Sequence, residues 1–327
     1  LQVMHIDLRE PMILDSAIQN NKKCSWKKDG NAYFINLVTE QKVNDQNQIT
    51  FYFHGKPHVA KIPPWDGGVI WKKDKNKYPW ISIACQGMAG SVWFPNKDHM
   101  YDEPDSVSFF ITAPSDLIAV AGGKLRSTTE NLNGTKTWNW AVVNPINNYS
   151  IIPYIGKYVN FKDTLNGEGG VLDINYWVLE YNLEKAKEHF KETKTMLRCF
   201  ENWFGKYPFY EDGFKLVEAP HLGMEHQSAV AYGNGYQKGY LGRDLSGTGW
   251  GLKWDFIIIH ESGHEWFGNN ISAKDVADNW LHEGFTAYSE NLYTEYLFGK
   301  PAGADYVIGT RKDIDNNSPI IGDYEVN

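Results

Sequence analysis

The sequence lacks any apolar stretch that could cross a lipid bilayer. Its longest apolar run is Leu117–Ala121, extended only by glycines, whereas a membrane-spanning helix needs about 20 residues. An excess of positive charge is also absent, since 32 Lys and Arg stand against 40 Asp and Glu, giving a formal net charge of −8 at pH 7. Because nucleic-acid binding relies on clustered basic residues, the composition argues against a nucleic-acid partner.

Cysteines are few, and no two of the three (Cys24, Cys85 and Cys199) form a C-x-x-C pair. This excludes a disulfide scaffold and a cysteine-rich zinc finger. The G-x-S-x-G turn of serine hydrolases and the G-K-[ST] ending of a phosphate-binding loop are missing as well. The chain opens with a strand-like segment, Leu1–Leu8, and not with a secretory signal, which leaves cytoplasmic, periplasmic and secreted locations open.

The composition is that of a globular protein, with 42% apolar, 22% charged and 15% aromatic residues in 327 positions. This length allows one large or two medium domains. In residues 1–163, apolar and polar residues alternate in short runs separated by turn-formers such as Asp29-Gly30 and Asn133-Gly134, as is typical of strands. The clearest runs are 32–37, 49–54, 107–112 and 137–141. We therefore predict an all-β N-terminal domain over residues 1–163.

Residues 164–327 change to the spacing of amphipathic helices. Asn182 can cap the first helix, Gly205 can end it, and Ser272 begins a possible capping box for the third. The predicted helices span 183–204, 254–267, 272–299 and a segment starting at Pro301, and a strand is predicted over Val171–Val178. The sequence thus predicts an α+β, two-domain fold with a mainly helical domain over 164–327.

The segment His260-Glu261-Ser262-Gly263-His264 is the strongest chemical signal in the chain. On a helix, residues i and i+4 share a face, so both imidazoles can bind one metal ion. Glu261 is rotated by about 100° and can face a metal-bound water as a general base. The alternative is two helix-packed histidines beside a surface glutamate.

A third ligand is predicted at Glu283, within Trp280-Leu-His-Glu-Gly-Phe on the next helix, with eighteen residues between it and His264. Two His and one Glu leave the fourth position of a Zn²⁺ ion open for water, as in catalytic zinc sites. Glu290 lies about two turns after Glu283 and is predicted to accept a hydrogen bond from a ligand imidazole. The alternative for Glu290 is a solvent-facing carboxylate.

Together these motifs resemble the gluzincin aminopeptidases of the membrane alanyl aminopeptidase type, a family that includes leukotriene A hydrolases. Leu222–His226 is similar to the family's G-x-M-E-N motif. Cys85–Gly87, Trp93–Pro95 and Asp102–Asp105 resemble its β-domain segment that ends in D-E-P. The resemblance covers most of residues 45–299. It implies a saddle-like β domain followed by a thermolysin-like catalytic domain with one zinc per chain.

The resemblance also implies substrate-binding residues. Glu225 would bind the α-ammonium of a peptide, and Gln86 would add a side-chain carbonyl to the same group. The backbone of Gly223 and Met224 would line the substrate. The alternatives are a structural carboxylate for Glu225 and a polar residue at a strand end for Gln86.

The chain departs from the family pattern in two ways. Leu222 replaces the first Gly of the motif and His226 replaces its Asn, which leaves the preferred first side chain open. We interpret His226 as a polar pocket wall and not as a ligand. The family's oxyanion-stabilising Tyr would lie beyond Asn327, so Tyr306 and Tyr324 receive no catalytic role. We therefore expect this chain to be a shortened form of a family member, without the first strands of the β domain and without the C-terminal domain.

The sequence thus predicts a zinc aminopeptidase that acts on peptides with a free N-terminus and needs no membrane span. Three alternatives remain at this point: a thermolysin-like endopeptidase, an epoxide hydrolase of the same family, and a non-catalytic peptide-binding relative. The retained general base, Glu261, argues against the last of these. The sequence does not indicate an oligomeric state.

Overall fold

The first five strands form an antiparallel sheet in the computed structural model, which describes residues 1–324. They are β1 (Val3–Asp7), β2 (Ile13–Gln19), β3 (Lys22–Asp29), β4 (Ala32–Asn36) and β5 (Ile49–His54), in the spatial order β1-β4-β3-β2-β5. One face of the sheet covers a buried cluster that includes Ile6, Leu14 and Ile35. The period-two pattern of residues 49–54 arises because alternate side chains of a strand point to opposite faces.

Two further sheets complete the N-terminal part. Their strands are β6 (Gly68–Lys73), β7 (Pro79–Ala84), β8 (Val107–Pro114), β9 (Ile118–Val120), β10 (Lys124–Glu130), β11 (Thr135–Val142) and β12 (Tyr154–Gly156). The spatial orders are β6-β7-β12-β9 and β10-β11-β8. Asn133-Gly134 forms the turn between β10 and β11, where Gly134 takes a φ of 75° that favours glycine. The prediction of a β-rich N-terminal domain is confirmed.

The fourth sheet carries the helices. Its strands are β13 (Tyr158–Gly167), β14 (Gly170–Leu179), β15 (Phe214–Glu218), β16 (Gly223–Met224) and β17 (Val230–Tyr232), in the order β13-β14-β15-β17-β16. The helices are α1 (Leu183–His189), α2 (Glu192–Phe204), α3 (Phe256–Gly263), α4 (Trp280–Phe298) and α5 (Lys300–Thr310). Strands β14, β15 and β17 run parallel, and their apolar residues form one buried core with the helices. The predicted α+β architecture is therefore confirmed.

Three helix bounds differ from the predictions. The predicted helix over 183–204 is two helices, α1 and α2, interrupted at Phe190 and Lys191. Glu192 begins α2 and accepts hydrogen bonds from the Asp255 backbone N–H (3.1 Å) and the Lys238 Nζ (2.7 Å). A carboxylate is favourable at a helix N-terminus, and these remote partners hold it there. Asn182 makes no side-chain cap, because its amide donates to Glu218 instead.

The other two differences flank the predicted zinc motif. Helix α3 ends at Gly263 and not near Phe267, because residues 264–266 turn. Helix α4 begins at Trp280 and not at Ser272. The Ser272 hydroxyl lies 2.6 Å from the Glu103 carboxylate and 2.8 Å from the Gly268 carbonyl, so it links the β-rich part to the helical part and caps no helix.

The predicted domain boundary at residue 163 falls inside β13. We propose a boundary near residue 157, because β13 pairs along its whole length with β14.

Among residues 1–324, every helix is too short or too polar to span a lipid bilayer.

Candidate metal centre

Helix α3 contains His260, His264 directly follows its last residue, and Asp255 fixes where this helix starts. The buried Asp255 carboxylate accepts the backbone N–H groups of Ile257 (2.9 Å) and Ile258 (3.2 Å), which makes it an N-cap. It also contacts three side chains, those of His189, Tyr232 and Asn234. The residues that follow the cap, Ile257, Ile258 and Ile259, are all buried. The helix is therefore held at its end and along its faces.

Helix α4 runs back along α3 and brings the third predicted ligand to the histidines. A Cβ atom at Gly263 would lie 2.7 Å from the Ser289 Oγ, so the absence of a side chain allows the two helices to approach closely. The Oε2 atom of Glu283 lies 3.6 Å from the Nε2 of His260 and 3.7 Å from the Nε2 of His264.

This arrangement fits a Zn²⁺ ion. Ligand atoms of His260, His264 and Glu283 all lie within 4.8 Å of one another. Two ligands of a tetrahedral zinc, at bond lengths of about 2.0–2.1 Å, lie about 3.4 Å apart, close to the observed nitrogen–oxygen distances. Two imidazoles and one carboxylate are also the donor set that catalytic zinc sites use, with one position left open.

The Nδ1 atoms of His260 and His264 have partners that orient the two imidazole rings. The Nδ1 of His260 lies 2.8 Å from the Glu290 Oε1, and the Nδ1 of His264 lies 3.0 Å from the Phe267 carbonyl. With the Nδ1–H of each ring donated, each Nε2 is the nitrogen available to a metal. Glu290 is buried, so the alternative of a solvent-facing carboxylate is wrong.

The electrostatics favour an ionised third ligand. The surrounding protein disfavours the charged form of Glu283, but His260 and His264 outweigh this effect and lower the pKa of its carboxyl group. An ionised carboxylate is the form that binds a cation.

Glu261 lies on the side of α3 that faces strand β16. A Cβ atom at Gly223 would lie 2.5 Å from the Glu261 Oε1, so the glycine gives this carboxylate its space. Burial raises the pKa of Glu261, while the charge on His260 acts in the opposite direction. A raised pKa suits a group that takes up a proton and then releases it.

Glu225 follows β16 and approaches the same place. Ligand atoms of Glu225, Glu261 and His264 lie within 4.8 Å of one another. The Glu225 Oε1 accepts hydrogen bonds from the Gln86 Nε2 (2.7 Å) and the Tyr149 hydroxyl (3.1 Å). Burial raises the pKa of Glu225, and the charge of His264 opposes this shift. The structure thus brings Gln86 of the β-rich part to the predicted carboxylate.

Strand β16 contains Gly223 and Met224 and lies at the edge of the fourth sheet. Among the described residues β17 is its one partner in that sheet, which leaves its other edge without a strand partner. His226 is buried outside the ligand set, and its Nδ1 lies 2.5 Å from the Tyr154 hydroxyl. It therefore packs inside the protein, and its role as a polar pocket wall stays a prediction.

The sequence did not reveal two tyrosines at the site. Tyr149 contacts Glu225, and the buried Tyr306 donates its hydroxyl to the Glu290 Oε2 at 2.8 Å. Tyr306 lies on α5, and only its position in the fold connects it to the metal ligands. Tyr324 is exposed and bonds to Asp278, away from the candidate ligands.

Residues 188–318 match the model of the peptidase family M1 domain. Aminopeptidase B of Rattus norvegicus is 26% identical over 242 residues, which cover 71% of this chain and 33% of that protein. Aminopeptidase Ey of Gallus gallus is 26% identical over 203 residues, covering 59% of this chain and 20% of that protein. The chain therefore spans about a third or less of the length of these curated relatives.

Solved structures share the fold. A variant of an M1 zinc metallopeptidase from Deinococcus radiodurans, bound to the substrate Tyr-Ser-Ala, superposes with a TM-score of 0.78 at 20% identity, over 98% of this chain and 69% of that chain. Native yeast LTA4 hydrolase gives a TM-score of 0.69 at 17% identity, over 92% and 44%. The matched domain and the curated aminopeptidases support the predicted resemblance to the gluzincin aminopeptidases, and the solved structures show that the fold is shared.

Proposed function

We propose that this protein is a zinc aminopeptidase, which removes the first residue from peptides with a free N-terminus. One observation carries the proposal: ligand atoms of Glu225, Glu261 and His264 lie within 4.8 Å of one another. A carboxylate at this distance from the general base and a metal ligand suits the α-ammonium of a peptide whose first carbonyl reaches the metal.

The metal ligands would be His260, His264 and Glu283, with Glu290 orienting His260. When bound there, zinc supplies a Lewis acid and lowers the pKa of water at the open position. The buried Glu290 keeps the Nδ1–H of His260 engaged at 2.8 Å, which leaves the Nε2 lone pair for the metal.

The chain's own residues would bind and orient the peptide. Glu225 pairs with the α-ammonium, and the Gln86 side-chain carbonyl accepts from the same group, since the Gln86 amide nitrogen already donates to Glu225. The open edge of Gly223 and Met224 pairs with the substrate backbone. Glu261 takes a proton from the water that attacks the first peptide carbonyl and delivers it to the leaving nitrogen.

The rival is an endopeptidase with the same three ligands. It has no need of a carboxylate at the amine position, because an internal peptide bond has no nearby ammonium. A buried Glu225 facing a neutral peptide would remain without a cationic partner, which is costly. The position of Glu225 therefore supports the exopeptidase over the endopeptidase.

The test compares peptides with free and acetylated N-termini on the protein expressed from its natural gene. A charge-assisted hydrogen bond contributes about 1.5–3 kcal/mol, or roughly 10- to 150-fold. Glu225→Ala should lower kcat/KM on free peptides at least tenfold and leave the zinc content unchanged. Glu184→Ala, at an exposed position of α1, is the control and should behave like the parent. Equal cleavage of free and acetylated peptides by the parent would refute the proposal.

A further inference from the structure

Two side chains of the β-rich part hold the same oxygen of Glu225. The Gln86 Nε2 and the Tyr149 hydroxyl both donate to Oε1, at 2.7 and 3.1 Å, and neither occupies Oε2. Two donors on one oxygen restrict rotation of a carboxylate about its last bond. They therefore fix the direction of Oε2, which neither of them occupies, in a carboxylate that has an oxygen within 4.8 Å of ligand atoms of Glu261 and His264.

Tyr149 is itself firmly held. Its ring is buried in the core that joins the β-rich part to β15 and β16. Its carbonyl accepts the Cys85 thiol at 3.5 Å, and the carbonyl of Ile151 accepts the Trp93 indole N–H at 3.0 Å. On the other side, the Asn147 amide donates to the Gly268 carbonyl at 2.8 Å. The segment around Tyr149 is thus fixed to both parts of the molecule.

The Tyr149 hydroxyl remains a donor near neutral pH. Burial raises its pKa well above the ordinary value of 10, and the charge of Glu225 raises it further. The charge of Glu283 raises the pKa of the hydroxyl as well. A hydroxyl that keeps its proton here donates to Glu225 and does not compete with it for the ammonium.

We infer that Tyr149 is a positioning residue for recognition of the substrate α-amine, because it fixes the Glu225 carboxylate with Oε2 facing the ammonium. The inference rests on the proposed aminopeptidase function. It adds a residue of the β-rich part that determines specificity for a free N-terminus. None of the described hydrogen bonds connects Tyr149 to a proposed metal ligand.

The experiment uses Tyr149→Phe, which keeps the ring and removes only the hydroxyl. The substrate is Ala-Ala-Ala, and the competitive ligand is propanoyl-Ala-Ala, in which hydrogen replaces the α-amine. Tyr149→Phe should raise KM for Ala-Ala-Ala about 5- to 30-fold, less than the roughly 10- to 150-fold of a whole hydrogen bond to a charged group, because Gln86 still donates to Oε1. It should change kcat less than about threefold and leave the inhibition constant of propanoyl-Ala-Ala within about twofold, since that ligand has no ammonium for Glu225 to bind.

Tyr158→Phe is the matched control, because this buried hydroxyl donates to the Glu218 carbonyl (2.8 Å) and does not contact Glu225. In a Glu225→Gln background, Tyr149→Phe should have no further effect on KM. Should Tyr149→Phe not fold, Tyr149→Leu, which also lacks the hydroxyl, should give the same amine-dependent change in KM.

The outcomes separate the two claims. If the parent binds Ala-Ala-Ala no better than propanoyl-Ala-Ala, the proposed function fails. If the parent distinguishes them, but Tyr149→Phe behaves like Tyr158→Phe, or weakens both ligands equally, the inference about Tyr149 is overturned.

Discussion

Tyr306→Phe tests how far the metal centre extends beyond its ligands. The Tyr306 hydroxyl donates to the Glu290 Oε2 at 2.8 Å, and the Glu290 Oε1 lies 2.8 Å from the His260 Nδ1. All three side chains are at least largely buried, and Tyr306 packs against Trp254. The substitution removes one hydroxyl and keeps the ring, so it leaves one oxygen of Glu290 without this donor.

The magnitude follows from the position of the lost bond. Loss of a group that directly orients a metal ligand costs about 10- to 100-fold in metal affinity. Tyr306 acts one residue further out, through Glu290, so we expect a smaller loss. A hydrogen bond to a charged group contributes about 1.5–3 kcal/mol. If up to half of this free energy contributes to zinc binding, the substitution lowers the zinc affinity about 3- to 10-fold.

The assay is a competition titration for zinc against a chromophoric chelator, with folding checked by circular dichroism. Tyr293→Phe is the matched control: this buried tyrosine donates to Glu192 at 3.2 Å and has no hydrogen bond to Glu290 or His260 among the described residues. The control should bind zinc like the parent. Equal zinc affinities for Tyr306→Phe, Tyr293→Phe and the parent would refute the proposal that Tyr306 affects zinc binding through Glu290.

Three further outcomes are expected. Glu261→Gln should retain zinc but lose at least about 100-fold in kcat, because the side chain acts as a base and does not bind the metal; near-normal turnover would contradict this. Asp255→Ala should lower the free energy of unfolding by about 3–5 kcal/mol in urea titrations, since it leaves buried donors unpaired. A loss below about 1 kcal/mol would contradict the stabilising role of Asp255 as the N-cap of α3. Burial lowers the pKa of Lys215 from 10.5 to about 7, so between these pH values the unfolded chain holds a proton that the folded chain lacks. The stability of the parent relative to Lys215→Met should therefore rise with pH, by up to about 1.4 kcal/mol per unit; a flat difference would show that Lys215 stays charged.

The parts of the site that lie on regular helices could be predicted from the sequence. His260 and His264 share a helix face at a spacing of four, and eighteen residues are enough for the chain to turn back and present Glu283. Glu290 follows from the same periodicity, two turns further on. These predictions depend only on local geometry, which the sequence pattern encodes directly.

The contacts between distant segments could not be predicted. Tyr149 and Glu225 are 76 residues apart, and Tyr306 reaches Glu290 from a separate helix. The break between α1 and α2 also depends on partners far along the chain, since Asp255 and Lys238 bind the first residue of α2. A continuous apolar stripe cannot reveal such a break, because both helices bury the same stripe.

In the proposed function, recognition of the substrate amine depends on contacts between the β-rich and helical parts. Glu225 comes from the fourth sheet, but both side-chain donors to its Oε1 come from the β-rich part. The turn after α3 contributes as well, because the Asn269 amide donates to the Glu225 backbone carbonyl at 2.7 Å. The proposed metal ligands, in contrast, come from α3 (His260), from the residue directly after it (His264) and from α4 (Glu283). Changes in the β-rich part should therefore alter N-terminal specificity while zinc affinity stays constant, which makes the two properties separately measurable.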